Sequence, residues 1–199
     1  MSEQRDINAR MRAILIDWLV EVHMKFRLVS DTLYLCVNII DRYCNLVQVP
    51  RNKLQLVGVT ALLIACKYEE IYPPEVRDCV YITDRAYQRQ EVLAMEQDML
   101  SRLRFKITVP TASPFLKRFL SITDASELTK FAAQYYMERT LQEHDLLRYR
   151  PSLVGAASIA LALNNPDIYR RENNCRIRHP GLVRKHNKML HTLFAYVLL

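Results

Sequence analysis

Glycine is scarce in this chain of 199 residues, which contains only Gly58, Gly155 and Gly181. Tight β-hairpin turns and many sheet connections require glycine, so its scarcity favours helices joined by short loops. Neither of the glycine-rich patterns that cradle phosphates, GxGxxG and GxxxxGK[ST], occurs in the sequence. The sequence therefore excludes nucleotide binding of these two kinds.

Long apolar runs and paired cysteines are also missing. The longest apolar run, from Leu56 to Cys66, is far shorter than the ~20 residues that a membrane-spanning helix needs, and no signal peptide opens the sequence. The five cysteines lack CxxC spacing; they are Cys36, Cys44, Cys66, Cys79 and Cys175. We therefore expect a soluble intracellular protein with buried free thiols and no contact with a membrane.

Motifs for catalysis and metal binding are equally scarce. The sequence contains no HExxH and no GxSxG. Cys175 and His179 lie four residues apart, but two ligands do not make a metal site. Glu69 and Glu70 are adjacent, so their carboxylates point in different directions. We therefore predict that the chain is not an enzyme and needs neither a metal nor a cofactor.

Most of the net charge of +7 lies in the second half of the chain. Residues 1–110 carry 15 basic and 14 acidic side chains, whereas residues 111–199 carry 13 and 7. Much of the excess comes from a candidate anion patch, Arg170, Arg171, Arg176 and Arg178, and from the basic residues that follow it up to Lys188. The patch is either a solvated loop and helix end or a site for phosphorylated protein or nucleic acid.

Helical periodicity, interrupted by prolines, runs through most of the chain. It predicts helices over 8–27, 31–47, 52–68, a short segment after Pro73–Pro74, 88–103, 114–121, 125–140, 151–164 and 181–198. Ser113 is predicted to cap a helix whose first residue is Pro114, and Asp124 with Glu127 resembles a capping box. The pattern predicts an all-α fold of two bundles, separated by an extended linker at 108–114.

Residues 11–22 are apolar on two sides when they are drawn as a helix at about 100° per residue. One stripe comprises Met11, Ile14, Leu15, Trp18 and Val22; the other comprises Ala13, Ile16, Leu19 and Val20. One stripe suffices to join a core, so the second is either buried deeply or open to a partner. Asp17 and Glu21 border the Trp18 stripe, and an apolar groove with an acidic edge suits a short cationic peptide. Periodicity alone leaves both interpretations open and favours core.

A second candidate binding surface follows the most apolar predicted helix. Lys67 closes that helix, where its three donors can bind backbone carbonyls of this chain or of a partner. Glu96 lies in the middle of a later helix, with Leu100, Phe105 and Ile107 nearby in sequence, and can share that surface. The alternative is a surface ion pair worth well under ~1 kcal/mol.

These segments together resemble a cyclin of the mitotic A/B type. The resemblance rests on MRAILIDWLVEV at 11–22, IDRY at 40–43, KLQLVG at 53–58, KYEEIYPPE at 67–75 and VYIT at 80–83. It is nearly continuous over residues 8–120 and looser beyond them. The resemblance implies two consecutive five-helix cyclin boxes, an N-terminal one at 1–109 and a C-terminal one at 110–199.

The resemblance implies a regulatory subunit that binds and activates a cyclin-dependent Ser/Thr protein kinase, in the nucleus and cytoplasm, and controls cell-cycle progression at G2/M or in S phase. Arg12, Asp41, Leu56, Lys67 and Glu96 match the positions for which the first box is known. Among them, Arg12 and Asp41 are implied to form a buried ion pair between the first two helices. The implied kinase-binding residues are Ile64, Lys67, Tyr68, Glu96, Leu100, Phe105 and Ile107.

The resemblance also implies a groove that docks Arg-x-Leu segments of substrates or inhibitors. Its positions map onto Met11, Ile14, Leu15, Trp18, Glu21, Leu54 and Gln55. This implication favours groove over core for the Trp18 stripe and gives Glu21 the task of binding the arginine.

Two other kinds of protein remain as alternatives to a mitotic cyclin. A DNA-binding transcription factor of the B type also stacks two cyclin-like repeats, but it spreads positive charge over both repeats and usually follows a zinc ribbon. A transcriptional cyclin normally lacks the motif at 11–18. We therefore do not expect nucleic acid as a partner, and the sequence does not specify the kinase or its substrates.

Overall fold

The computed structural model describes residues 4–123 and 125–165. These residues form eight α-helices and two short 3₁₀ helices, with no strand among them. The α-helices are α1 (Ala9–Phe26), α2 (Ser30–Leu46), α3 (Leu54–Glu69), α4 (Val76–Ile82), α5 (Arg89–Arg102), α6 (Ala112–Ile122), α7 (Glu127–Thr140) and α8 (Pro151–Leu163), and the 3₁₀ helices are Arg51–Lys53 and His144–Arg148. The predicted all-α fold is confirmed. The predicted helix at 181–198 lies outside the described residues.

The described residues fall into two compact units. The first unit comprises residues 4–113 and the segment Leu141–Arg148, and the second comprises 114–123, 125–140 and 149–165. The segment Leu141–Arg148 thus packs with helices that precede it by a hundred residues or so, a placement that no sequence pattern indicated. The predicted division of the chain after residue 109 stays a prediction.

Helix α3 forms the centre of the first unit. Every residue from Leu56 to Cys66 is buried, as expected of a helix that is apolar on all sides. Gly58 is needed for the close approach of α1, because a Cβ at this position would lie 2.7 Å from Cδ1 of Leu15. The Leu15 side chain of α1 therefore packs directly against the α3 backbone at Gly58. This contact helps to fix the position of α1 along α3.

Side-chain caps define where several helices of the first unit begin. The Asn8 Oδ1 accepts the backbone N–H of Met11 at 3.0 Å, so α1 begins at the next residue, Ala9. A reciprocal capping box between Gln88 and Glu91 starts α5. The Glu91 carboxylate accepts a hydrogen bond from the Gln88 N–H and forms an ion pair with Lys53. Both contacts lower the pKa of Glu91.

Two of the predicted helix starts are wrong. Helix α6 begins at Ala112, so Ser113 and Pro114 lie in its first turn rather than at its cap. Proline is tolerated there, because the first N–H groups of a helix have no intrahelical partner. Helix α7 begins at Glu127, and the Ser126 Oγ accepts the Thr129 N–H at 3.1 Å. Ser126 is therefore the capping residue of α7, and the predicted capping residue Asp124 lies outside the described residues.

Four of the five cysteines are buried free thiols, as the sequence predicted, while Cys175 lies outside the described residues. Burial raises the pKa of the thiols of Cys44, Cys66 and Cys79 to about 12. In the part of the chain that the structure describes, no helix combines the length and apolarity needed to cross a membrane.

Candidate docking surfaces of the first unit

A groove lies between α1 and the beginning of α3. It has a volume of about 430 Å³ and is lined by Met11, Ile14, Leu15, Trp18, Arg51, Leu54 and Gln55. Six of the seven residues predicted for a peptide groove are therefore brought together, whereas Glu21 is not among the lining residues. Arg51 was missed because it lies on a 3₁₀ turn outside the apolar stripe of α1 and is not among the positions that the cyclin resemblance implied.

The apolar side chains of α1 are divided between the core of the first unit and the groove. Leu15 and Val22 of the Trp18 stripe and Leu19 of the other stripe are buried in the core of the first unit. Ile14 is 61% exposed, and Met11 and Trp18 are only partly buried against that core. The core and groove interpretations are thus both needed for the Trp18 stripe, since it supplies core residues and an open apolar surface.

Charged side chains of both signs lie near the groove. Glu21 is exposed one helical turn beyond Trp18. The Asp17 Oδ1 accepts a hydrogen bond from the Gln142 Nε2 at 2.9 Å. Arg51 is exposed, and its backbone N–H donates to the Asp6 Oδ2 at 2.7 Å. A peptide in the groove would therefore meet apolar walls with a carboxylate and a guanidinium available at the margins.

Arg12 and Asp41 form a bidentate ion pair that fixes α1 to α2. Arg12 is completely buried; its Nε lies 2.6 Å from Oδ1 of Asp41 and its Nη2 lies 2.8 Å from Oδ2. The Nη1 donates to the backbone carbonyl of Leu141 at 2.8 Å, so the same side chain also holds the segment Leu141–Arg148. Removing either partner would leave a buried charge uncompensated, which is the costly case for such pairs.

Lys67 and Glu96 join the end of α3 to α5. The Lys67 Nζ lies 2.6 Å from the Glu96 Oε1, with the lysine 48% and the glutamate 12% exposed. In the chain alone, the ammonium group of Lys67 therefore pairs with the carboxylate of Glu96, as the ion-pair alternative predicted. On the same surface, the hydroxyl of Tyr68 shares a hydrogen bond with that of Thr108 at 2.5 Å.

The apolar residues predicted to bind a kinase divide into buried and exposed ones. Ile64 and Ile107 are buried and belong to the core of the first unit, and Leu100 is packed against that core. Tyr68 is 49% and Phe105 is 72% exposed. The exposed aromatic side chains are therefore the ones available to a partner, while the buried residues support the surface beneath them.

Phe105 is held in an unusual backbone conformation. Both Arg104 and Phe105 have positive φ angles, 52° and 56°, a region that is uncommon for a bulky side chain. The turn is stabilised by hydrogen bonds from the Phe105 N–H to the Leu100 carbonyl at 2.9 Å and from the Arg104 N–H to the Ser101 carbonyl at 3.0 Å. Such strain of about 1–3 kcal/mol persists where the surroundings fix it, and it is concentrated at functional positions.

Among the described residues, no group of three or more His, Cys, Asp and Glu side chains is arranged to hold a metal ion. The candidate anion patch at Arg170, Arg171, Arg176 and Arg178 lies outside the described residues, as does the Cys175–His179 pair.

Comparison with protein families gives two matches that together cover most of the chain. The model described as the N-terminal domain of cyclins matches residues 1–108, and the model of the C-terminal domain matches residues 110–176.

Among curated proteins, Cyclin-B2-1 of Arabidopsis thaliana is 51% identical over 174 residues, which are 87% of this chain and 41% of that protein. The G2/mitotic-specific cyclin-2 of Medicago sativa is 48% identical over 162 residues, 81% of this chain and 49% of that protein. The chain thus spans between two fifths and half of the length of these relatives.

Solved structures with the same fold include two that the chain matches over 98% of its length. A viral cyclin from Herpesvirus saimiri superimposes with a TM-score of 0.73 at 22% identity, over 81% of that chain. A chain of the CAK complex of Chaetomium thermophilum superimposes with a TM-score of 0.58 at 14% identity, over 63% of that chain. At these identities the two structures support the fold alone.

Proposed function

The chain belongs to the cyclin family, and we propose that it is a regulatory subunit, not itself an enzyme, that binds and activates a cyclin-dependent Ser/Thr protein kinase. The observation that carries the proposal is the surface formed by the end of α3, by α5 and by the turn that follows α5. There the Lys67–Glu96 pair occurs together with the exposed side chains of Tyr68 and Phe105. The B-type and G2/mitotic relatives support a role in the mitotic cell cycle.

Activation of the kinase is a shift of its conformational population. The catalytic Lys–Glu pair of a protein kinase forms only when its C-helix is rotated inward, and its activation loop must open. A subunit that binds this arrangement more tightly than the inactive one raises its population, by no more than the difference in affinity. A bundle of packed helices suits the task because little conformational entropy is lost when it binds.

The polar and aromatic residues of the surface have different roles in this proposal. Lys67 is 48% exposed but Glu96 only 12%, so the two can exchange each other for hydrogen bonds to the kinase only where the kinase supplies a donor to the Glu96 carboxylate. Phe105 offers a large apolar area that is already fixed by its turn, and rigid aromatic side chains of this kind often dominate the affinity of an interface.

We also propose that the groove between α1 and α3 docks Arg-x-Leu segments of substrates or inhibitors. The apolar walls formed by Ile14, Leu15 and Leu54 suit the leucine, and burying it would contribute about 1.5–3 kcal/mol. The exposed carboxylate of Glu21 lies one turn beyond Trp18 and is assigned to the arginine. Because Glu21 is not among the lining residues, this assignment has the peptide run along α1 toward the C-terminal end of this helix.

The kinase-binding surface is tested by comparing two lysines that make similar ion pairs. Lys67 and Lys53 each lie 2.6 Å from a glutamate of α5, Glu96 and Glu91 respectively. We expect Lys67→Ala to weaken binding of a purified cyclin-dependent kinase by about ten-fold, the worth of one charge-assisted hydrogen bond. Lys53→Ala removes the same charge and should leave the affinity unchanged. Equal affinities for the two variants would contradict the proposed surface.

The groove is tested with Trp18→Ala, which removes the aromatic wall. Phosphorylation of a substrate that carries an Arg-x-Leu segment should fall, whereas phosphorylation of the same substrate with that segment scrambled should not change. Kinase binding should be largely intact. Loss of the kinase complex itself would instead show that Trp18 is a core residue whose removal damages the fold.

The nuclear and cytoplasmic location implied by the cyclin resemblance is also a proposal. Imaging of a fluorescently tagged chain in dividing cells tests it, with signal expected in both compartments. Signal confined to a membrane-bound organelle would contradict it.

A further inference from the structure

A second and larger cleft of the first unit shares none of the residues assigned to the two proposed surfaces, although Arg104 on its edge adjoins Phe105. It has a volume of about 800 Å³ and lies between α2, the end of α5 and the 3₁₀ helix His144–Arg148. Four arginines contributed by these separate elements line it, namely Arg42, Arg102, Arg104 and Arg148. Asp41 is the one carboxylate among the lining residues.

Two arginines of this cleft, Arg42 and Arg104, form no ion pair with a described carboxylate. Asp41 is already neutralised by the bidentate contact with the buried Arg12. Arg102 lies 3.3 Å from Asp98, but both side chains are exposed, so this pair is weak. Arg104 is exposed, and no described side chain forms an ion pair with it. The cleft therefore concentrates positive charge in a unit whose residues 1–110 are nearly neutral as a whole, with 15 basic and 14 acidic side chains.

Arg42 provides an observation of a different kind. Its Nη2 donates to the Lys106 carbonyl at 2.7 Å, whereas its Nη1 is buried and has no hydrogen-bond partner among the described residues. The Nδ1 of His144, which also lines the cleft, is buried without a partner in the same sense. Buried polar atoms of folded proteins are rarely left in this state. A ligand with several anionic oxygens would supply the acceptor that the Arg42 guanidinium lacks.

We propose that this arginine cleft binds a phosphomonoester carried by a peptide, that is, a phosphoserine or phosphothreonine of a partner protein. Guanidinium groups bind phosphate oxygens in pairs, with a planar geometry that an ammonium group lacks. The cleft is larger than a phosphate ion and has room for the residues beside it. Leu46 and Leu147, which are 57% and 46% exposed, line it as well and offer apolar contact to a flanking side chain.

A peptide fits these observations better than a nucleic acid. Tight binding to DNA depends on a series of phosphate contacts, about 6–10 of them, along an extended basic surface. Here four arginines converge on one concave site, in a unit whose residues 1–110 carry 15 basic and 14 acidic side chains. One dianionic group is the ligand that matches such a distribution.

The proposal is tested on the whole chain alone, so its outcome does not depend on kinase activation. The probe is a fluorescein-labelled peptide pool with a central phosphoserine between randomised residues, compared by fluorescence anisotropy with the same pool carrying serine. We expect the phosphorylated pool to bind at least about ten-fold more tightly, as charge-assisted hydrogen bonds to one phosphate require. Equal affinities for the two pools would overturn the proposal.

Matched arginine variants locate the binding. Arg104→Gln, alone and with Arg102→Gln, should weaken binding of the phosphorylated pool by about ten-fold or more. Arg85→Gln is the control, because Arg85 is also exposed and also has a positive φ angle, 58°, but lies away from the cleft. Circular dichroism establishes that each variant is folded. An equal loss in Arg85→Gln would show that only general charge is involved, and the proposed site would be wrong.

Competition with inorganic phosphate and with duplex DNA distinguishes a phosphopeptide site from a phosphate-ion site and from a nucleic-acid site. Inorganic phosphate should displace the phosphorylated pool only at much higher concentration, since it lacks the flanking contacts. If phosphate alone binds as tightly as the peptide pool, the peptide part of the proposal fails. If duplex DNA displaces the pool more effectively than an unlabelled phosphopeptide at physiological salt, the cleft is a nucleic-acid site and the proposal is wrong.

Discussion

The two ends of helix α3 carry the two proposed docking surfaces, and they are built from different kinds of contact. At the N-terminal end, Leu54 and Gln55 combine with α1 to form an apolar groove of about 430 Å³. At the C-terminal end, Lys67 and Tyr68 present an ion pair and an exposed ring, with Phe105 on the adjoining turn. A preformed groove selects a short segment by shape, whereas a surface of protruding side chains requires a complementary partner surface.

The distance between the two ends lets them act separately. Gln55 and Lys67 are twelve positions apart, or about 18 Å along a helix at 1.5 Å per residue. Both surfaces nevertheless depend on the same helix being surrounded by others, because every residue from Leu56 to Cys66 is buried. Changes to the shared framework should therefore affect both ends, and changes to exposed residues should affect only one.

The largest effect is expected from Asp41→Ala, which removes a framework contact. It leaves the completely buried Arg12 uncompensated, so we expect the free energy of unfolding to fall by about 3–5 kcal/mol. Urea denaturation measures this loss, and both docking activities should weaken with it. As a control, Glu127→Ala breaks the exposed pair with Lys130 and should cost under ~1 kcal/mol. If Asp41→Ala also lowered the free energy of unfolding by under ~1 kcal/mol, the role given to the buried Arg12–Asp41 pair would be contradicted.

The next effect concerns only the C-terminal end of α3. Phe105→Ala should weaken kinase binding by about 2–4 kcal/mol, the range of an aromatic residue that dominates an interface. Its effect on unfolding should be small, because the ring is 72% exposed. Phe131→Ala is the matched control, with a ring 66% exposed on α7. Titration calorimetry with the kinase measures both variants, and similar affinities would refute the assignment of Phe105.

A smaller effect is expected at the groove from Gly58→Ala. The new Cβ would lie 2.7 Å from the Leu15 Cδ1, so Leu15 must shift into the groove or α1 must move away. The cost of overpacking, about 1–3 kcal/mol, is offset by the ~1 kcal/mol that alanine gains over glycine inside a helix, so we expect a net loss of about 0–2 kcal/mol, with weaker binding of an Arg-x-Leu peptide and unchanged kinase binding. Adding Leu15→Ala removes the overlap, so the two changes should be strongly non-additive in urea denaturation. Additive losses would show that this contact does not fix the spacing of α1 and α3.

The smallest effect is a test of how firmly the core around α2 and α3 is closed, with Cys44 on α2 and Cys66 on α3 as probes. Burial raises the pKa of the Cys44 and Cys66 thiols to about 12, so the reactive thiolate forms only well above pH 8. Iodoacetamide at pH 8 should therefore label neither cysteine in the native protein and both in urea, as read by peptide mass spectrometry. Selective labelling of Cys66 would show that the C-terminal end of α3 opens more readily than the structure indicates.

Sequence periodicity predicted the parts of these surfaces that lie on single helices. The period of α1 selects Met11, Ile14 and Trp18 because residues three and four apart share a helix face. Periodicity does not extend to Arg51, which lies on a 3₁₀ turn. The Ser-Pro capping signal at Ser113 was wrong because α6 begins before it, at Ala112. The kinase-binding set and the place of Glu21 came from the cyclin resemblance and stay predictions.

Features assembled from distant segments were beyond the reach of the sequence. The arginine cleft combines Arg42, Arg104 and Arg148, which share no spacing, no motif and no helix. Leu141–Arg148 is joined to the first unit by hydrogen bonds from Arg12 to the Leu141 carbonyl and from Gln142 to Asp17. A backbone carbonyl accepts the bond from Arg12, so the identity of residue 141 gives no signal that the contact exists.

The most direct test of the proposed function is the turnover of a purified cyclin-dependent kinase with and without this chain. Phosphorylation of a histone-type substrate should rise by about ten-fold or more at saturating chain, a population shift of at least about 1.4 kcal/mol. The Lys67→Ala variant should need a higher concentration to reach the same rate. No rise in turnover with any cyclin-dependent kinase, together with tight binding of duplex DNA at physiological salt, would contradict the proposal.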